Sequence, residues 1–294
     1  MLMRMSKKLN LNKFINLYQM KNSNRLHTSV QNLSIVNPKI EENKINLKGI
    51  NINYLKTGTG KQTVLFSPSP IGSILTDFKP QIESLDKTKF TIVAWDPPGY
   101  GKSRPPERDY SGDFGQRDAE CAYELMNTLG VSKFSLVSWS SSGISSMRIA
   151  ATYPQCVDKL ILMCCPIQPS FQDLETHNTM KNLSTWPKKR KASLVSLYGE
   201  EDLSKMWNSW VDYLIHVFHN ENGTFLREVV PNVKCPTLIL HGNKDNFVHP
   251  KNAFILNSSI HNSRVKILEG GHNAHLKYPD EYSKLITEFL LEEN

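Results

Sequence analysis

Three residues of this 294-residue chain have the types and the order needed to open an acyl bond: Ser140, Asp245 and His272. A serine hydroxyl is a weak nucleophile until a base takes its proton, and a histidine serves as that base when an acid fixes its tautomer. Ser140 stands in "SLVSWSSSG" (135–143), where the apolar run 134–139 meets a helical pattern starting near Ser141. A strand-to-helix turn at this point would thrust the Ser140 side chain out at the sheet edge and aim the Ser141 N–H at a developing oxyanion. So tight a turn needs small residues two before and two after the nucleophile. Ser138 and Ser142 meet that need in place of the more usual glycines, which weakens the spelling without abolishing it.

The partners lie downstream. "LILHGNKDNFV" ends a β-rich run and presents Asp245 in a polar loop, and "KILEGGHNAH" ends the next run and presents His272 after two glycines. His241 falls inside a predicted strand, His249 and His261 flank a helical stretch, and His275 sits three residues past His272 on a different face, so His272 is the expected base. "KTGTGK" (56–61) is a turn and no phosphate loop, because Leu55 and Gln62 stand where a Walker A motif needs glycine and a hydroxyl residue.

The elements that must hold these residues are legible as short apolar runs. "TVLFS" (63–67), "FTIVAWD" (90–96), "FSLVSW" (134–139), "KLILMC" (159–164), "PTLILHG" (236–242) and "RVKIL" (264–268) predict strands, and residues 44–58 alternate about a Lys48-Gly49 turn as a half-buried hairpin does. Helical patterns over 113–129 and 141–153 lie between them. Continuous apolar strands alternating with helices predict a mostly parallel sheet covered on both faces. Between about 169 and 232 the strand rhythm gives way to helical spacing with Trp186, Trp207 and Trp210, which predicts a cap over the carboxyl end of the sheet.

The formal charge is +7, from 35 basic and 28 acidic residues. Seven of the basic residues and none of the acidic ones lie in residues 1–40, so the remainder, 41–294, balances and gives no support for nucleic-acid binding. The acid-free, basic segment with spaced leucines is the composition of a mitochondrial transit peptide, and the address otherwise expected is cytoplasmic. No apolar run reaches the roughly 18 residues of a membrane span. Five cysteines in no metal-ligand spacing point to a reducing compartment and no metal site.

The stretches "VAWDPPGYGKSRPPERDY" (93–110), "WVD" (210–212), "CPTLILHG" (235–242) and "EGGHNAHL" (269–276) resemble the biphenyl hydrolase-like, or valacyclovir hydrolase, family of the α/β-hydrolase superfamily, from about residue 44 to the C-terminus. The resemblance implies the α/β-hydrolase fold, an esterase acting on α-amino acid esters with Ser140, Asp245 and His272 as its triad, and a mitochondrial address. No cofactor is called for, and the chain is expected to act as a monomer on a small-molecule ester.

Two departures from the family fall at its active site. Its nucleophile is followed by an aspartate that meets the substrate's ammonium group; Ser141, with no charge, stands there. Its oxyanion loop reads Pro-Gly-Met-Leu-Gly, where this chain has Pro68-Ser69-Pro70-Ile71-Gly72, and Pro70, which has no N–H, occupies the donor position. Either Ile71 supplies that donor through a shifted loop or the hole keeps the Ser141 N–H alone. Loss of one such donor costs a factor of about 100 to 1,000 in turnover. The expected function is a serine hydrolase of carboxylic esters; the alternative is a catalytically impaired or inactive binding protein on the same fold.

Overall fold

The Lys48-Gly49 turn forms as expected. Strands β1 (Glu42–Leu47) and β2 (Ile50–Thr57) pair antiparallel, Leu47 opposite Ile50, with Lys48 at φ 50° and Gly49 at φ 88°. Two successive positive φ values match the turn to the twist of the strands it joins. The computed structural model describes residues 40–220 and 226–293; the predicted leader lies outside them up to residue 39, as do residues 221–225 of the predicted cap.

β2 pairs antiparallel with β4 (Phe90–Trp95), and β4 pairs parallel with β3 (Gln62–Ser67). The parallel pairing continues through β5 (Phe134–Trp139), β6 (Val157–Met163), β7 (Thr237–Gly242) and β8 (Ser263–Leu268), giving the order β1-β2-β4-β3-β5-β6-β7-β8. From β3 the chain moves to one side to make β4, then returns to the other side to make β5. The carboxyl ends of β3 and β5 therefore flank the point where the strand order reverses, the place where open α/β sheets bind ligands.

Alternation along the strands separates two cores. Leu65, Val93, Leu136, Leu162 and Ile239 pack on one face with α2 (Phe114–Thr128), α3 (Ser142–Thr152) and α7 (Lys251–Ser259). Val64, Phe66, Ile92, Val137, Ile161 and Leu240 pack on the other with α1 (Ile74–Ser84) and α9 (Pro279–Leu291). The four-residue α8 (Ala274–Lys277) precedes α9. Both faces are covered, as the continuous apolar strands require.

Between β6 and β7 lie α4 (Phe171–Thr179), α5 (Lys188–Tyr198) and α6 (Glu200–Asn220). α6 buries Leu203, Met206, Trp207, Trp210, Val211, Leu214 and Val217, one stripe at three- and four-residue spacing. α1 was not anticipated, although Ser73 caps it and Ile74, Phe78 and Ile82 recur every fourth residue. Its interior Pro80 lacks the N–H that would bond the Thr76 carbonyl, and Arg190 of α5 donates to that carbonyl at 3.4 Å instead.

Candidate active site

Ser140 closes β5 at φ 61°, and its N–H donates to the Met163 carbonyl at 2.9 Å. A positive φ at a non-glycine residue is costly and concentrates at functional sites. The serines that replace the usual glycines use their hydroxyls. Ser138 hydrogen-bonds Ser146 of α3, and Ser142 donates to the Ser67 carbonyl at 2.7 Å while accepting the Trp139 N–H at 3.1 Å. The position that must be glycine is one residue further on. A Cβ on Gly143 would stand 2.5 Å from the Cys165 sulfur.

The loops after β7 and β8 carry the other two groups to Ser140. They approach so closely that a Cβ on Gly242 would lie 2.4 Å from the Gly270 carbonyl oxygen. His272 Nε2 lies 2.9 Å from Ser140 Oγ, and His272 Nδ1 lies 2.8 Å from Asp245 Oδ2. The Trp139 indole N–H donates to the His272 carbonyl at 2.8 Å, so the residue before the serine anchors the histidine loop. Because a carboxylate accepts, Nδ1 carries the hydrogen and Nε2 presents a lone pair to the serine. That arrangement can draw a proton from Ser140 as its oxygen attacks an electrophilic carbon.

Asp245 also accepts the Phe247 and Val248 N–H groups, each at 2.9 Å, on Oδ1. Burial by itself would raise its carboxyl; the His272 and His241 imidazoles and their hydrogen bonds outweigh burial and hold it well below the usual carboxylate range. His241, passed over because it lies within a strand, is therefore part of the site. Its Nε2 donates to the Val248 carbonyl at 2.8 Å and stands 3.3 Å from Asp245 Oδ2. Cys164 joins them, with potential metal-binding atoms of Cys164, His241 and Asp245 within 4.8 Å of one another. Burial, then the Asp245 charge, pushes the Cys164 thiol up, so it stays protonated and the group is a hydrogen-bonded support for the aspartate. His275 is turned away, its Nε2 bonded to the Asp77 carbonyl at 3.0 Å.

Across from Ser140, the loop after β3 makes a turn in which the Gly72 N–H donates to the Ser69 carbonyl at 3.0 Å. Ile71 takes φ 57° at the third position, where glycine is the usual occupant. The Ser69 N–H is spent on Asp77 Oδ2 at 2.9 Å, and the Ser69 hydroxyl bonds the same oxygen at 2.8 Å. Pro70 has no hydrogen to give, and the Ile71 N–H has no partner among the described residues. Arg190 of α5 pairs with Asp77 Oδ1 at 2.9 Å and lies 5.6 Å from the Trp139 ring centroid. This ion pair, unanticipated from sequence, ties the segment between β6 and β7 to the loop.

A pocket opens beside Ser140 between Pro166, Leu174, Trp210, Leu214 and Phe247. Its free volume of about 20 Å³ is room for a single water. Ser141, next to the nucleophile, is buried, and its side chain makes no cap hydrogen bond.

A family model described as alpha/beta hydrolase fold matches residues 63–190. The chain is 38% identical over 248 residues to the serine hydrolase BPHL of Mus musculus, and equally to that of Homo sapiens, covering 84% of this chain and 85% of each relative. A solved enol-lactonase from Burkholderia xenovorans superposes with a TM-score of 0.70 at 18% identity, over 85% of this chain and all of that one, a likeness of fold. With the relatives aligned over most of both lengths and a serine, a histidine and an aspartate hydrogen-bonded in sequence at the strand ends, the chain belongs to the BPHL family of serine hydrolases and is a hydrolase of the α/β-hydrolase fold.

Proposed function

We propose that the chain hydrolyses carboxylic esters, with Ser140 as nucleophile, His272 as general base and acid, and Asp245 holding His272 in its working tautomer. The observation that carries this reading is the unbroken run of hydrogen bonds from Asp245 through His272 to Ser140. Ser140 Oγ attacks the acyl carbon as its proton passes to His272 Nε2, and the Ser141 N–H receives the oxyanion. The bond to the alkoxy oxygen then breaks, the proton on Nε2 goes to that leaving oxygen, and water repeats the sequence to free the acid. Leu174 and His177 of α4 and Trp210 and Leu214 of α6 line the pocket beside Ser140, so the helices between β6 and β7 act as its cap. Reaction of Ser140 with a fluorophosphonate probe tests the assignment. The second reading, an impaired enzyme acting as a binding protein, is favoured by Pro70, which has no N–H to give, and by the Ser69 N–H, which is spent on Asp77.

Amine selectivity is proposed to be weak, because no carboxylate follows the nucleophile. A hydroxyl can accept a hydrogen bond from an ammonium but offers no charge, and burial raises the cost of leaving that charge unpaired. Ser141→Asp is expected to raise kcat/KM for α-amino esters relative to their desamino analogues by about 10-fold or more. A strong amino-ester preference in the parent protein would overturn the reading.

The leader is proposed to direct import into mitochondria, because it holds the whole excess of positive charge. Residues 1–40 fused to a fluorescent reporter are expected to colocalise with mitochondria; a diffuse signal would reject this address.

A further inference from the structure

His177 of α4 lines the same pocket as Ser140 and takes no part in the hydrogen-bonded chain just described. Its Nδ1 lies 2.7 Å from the Asp173 carbonyl, one helical turn back. A carbonyl can only accept, so Nδ1 carries the ring hydrogen and Nε2, at the far end of the imidazole, is left with a lone pair. No described residue donates to Nε2. The ring is fixed, stacked on Trp207 at 5.6 Å and 6° and set edge-to-face on Phe247 at 5.3 Å. Burial lowers its pKa to about 4, which keeps it neutral at physiological pH.

We infer that His177 Nε2 is the acceptor through which this site reads a hydrogen-bond donor on its substrate, so that the preferred esters carry an uncharged donor, a hydroxyl in the simplest case, at some distance from the scissile carbonyl. The inference rests on the esterase reading and adds a substrate feature to it. Leu174, Leu214 and Phe247 give the wall no hydrogen-bonding side-chain atom, Trp210 offers only an indole N–H, which donates and cannot receive a substrate hydrogen, and Asp173 already accepts the Ser170 N–H at 2.7 Å and the His249 N–H at 3.1 Å. An apolar substrate group placed against Nε2 would leave a buried acceptor unpaired, whereas a hydroxyl satisfies it. Phe247 packs on both histidines, 5.3 Å from His177 and 5.4 Å from His272 by ring centroid, and so links the place where a donor would be read to the catalytic base.

The test compares phenyl hexanoate with its 3-hydroxy and 6-hydroxy analogues and with the matching methoxy ethers, which keep the oxygen and lose the donor. In the parent protein kcat/KM is expected to favour the hydroxy ester over its methoxy partner by about 10- to 100-fold at one of the two positions. His177→Phe, which preserves the stack on Trp207, should reduce that ratio to below about 3, and His177→Gln, which restores an acceptor, should recover part of it. An equal rate for hydroxy and methoxy esters in the parent, or a preference that survives in His177→Phe, overturns the inference. A thermal unfolding midpoint and circular dichroism spectrum of His177→Phe matching those of the parent show that the variant is folded. Calorimetric binding of the same intact esters to Ser140→Ala reads the preference without turnover. Loss of esterase activity in the parent would thus strike the proposed reaction, while equal Kd values for hydroxy and methoxy esters would strike the role of His177.

Discussion

Ser140→Ala is expected to abolish fluorophosphonate labelling and to lower kcat for any ester the parent turns over by about 10,000-fold or more. The expectation follows from geometry more than from motif. Ser141 and Ser142 adjoin Ser140, yet Ser142 spends its hydroxyl on the Ser67 carbonyl at 2.7 Å, and neither reaches a histidine. Ser140 alone of the three places Oγ at 2.9 Å from His272 Nε2, on a backbone at φ 61° that turns the side chain out of the strand. KM should change far less than kcat, because alanine removes the attacking atom and leaves the pocket walls intact. The measurement is intact-mass labelling beside steady-state kinetics, and label retained by the variant, on Ser141 or elsewhere, would remove Ser140 from the reaction.

Pro70→Met is expected to raise kcat by about 10- to 1,000-fold, the gain that follows when a missing oxyanion donor is restored. The loop is already placed for it. Ser69 is fixed by two bonds to Asp77, Asp77 is neutralised by Arg190, and the turn closes through Gly72, so residue 70 is held on both sides while contributing no hydrogen. The oxyanion exists chiefly in the transition state, so the gain should be in kcat with KM nearly unchanged. A variant no faster than the parent would mean that the Ile71 N–H, which has no partner among the described residues, fills the hole already. Arg190→Ala offers no equivalent gain, because it strips the buried Asp77 of its cation and loosens the loop that Pro70 sits in.

Much of this site was legible before any tertiary contact was known, because the signals are local. Apolar runs of strand length mark β3 to β8, small residues flanking Ser140 permit a turn whose sterics involve five consecutive positions, and Asp245 and His272 each follow the end of a strand. The missing N–H of Pro70 and the missing charge of Ser141 are covalent facts and need no structure at all. What tertiary structure decided is which distant groups meet. Asp77 and Arg190 are separated by 113 positions, and the carbonyl of Asp77 and His275 by 198; neither pair has a periodicity or spacing that sequence could reveal. His241 looked like a strand residue and is one, but its neighbour Asp245 returns to it through the β7 loop, so it supports the acid. Nothing in the residue types or spacing around His177 marks it as a site residue. Its tautomer is fixed by its own helix, but the donor it awaits is defined only when α4 docks over Ser140, because hydrogen-bonding capacity is a property of the side chain and an unmet partner is a property of the fold.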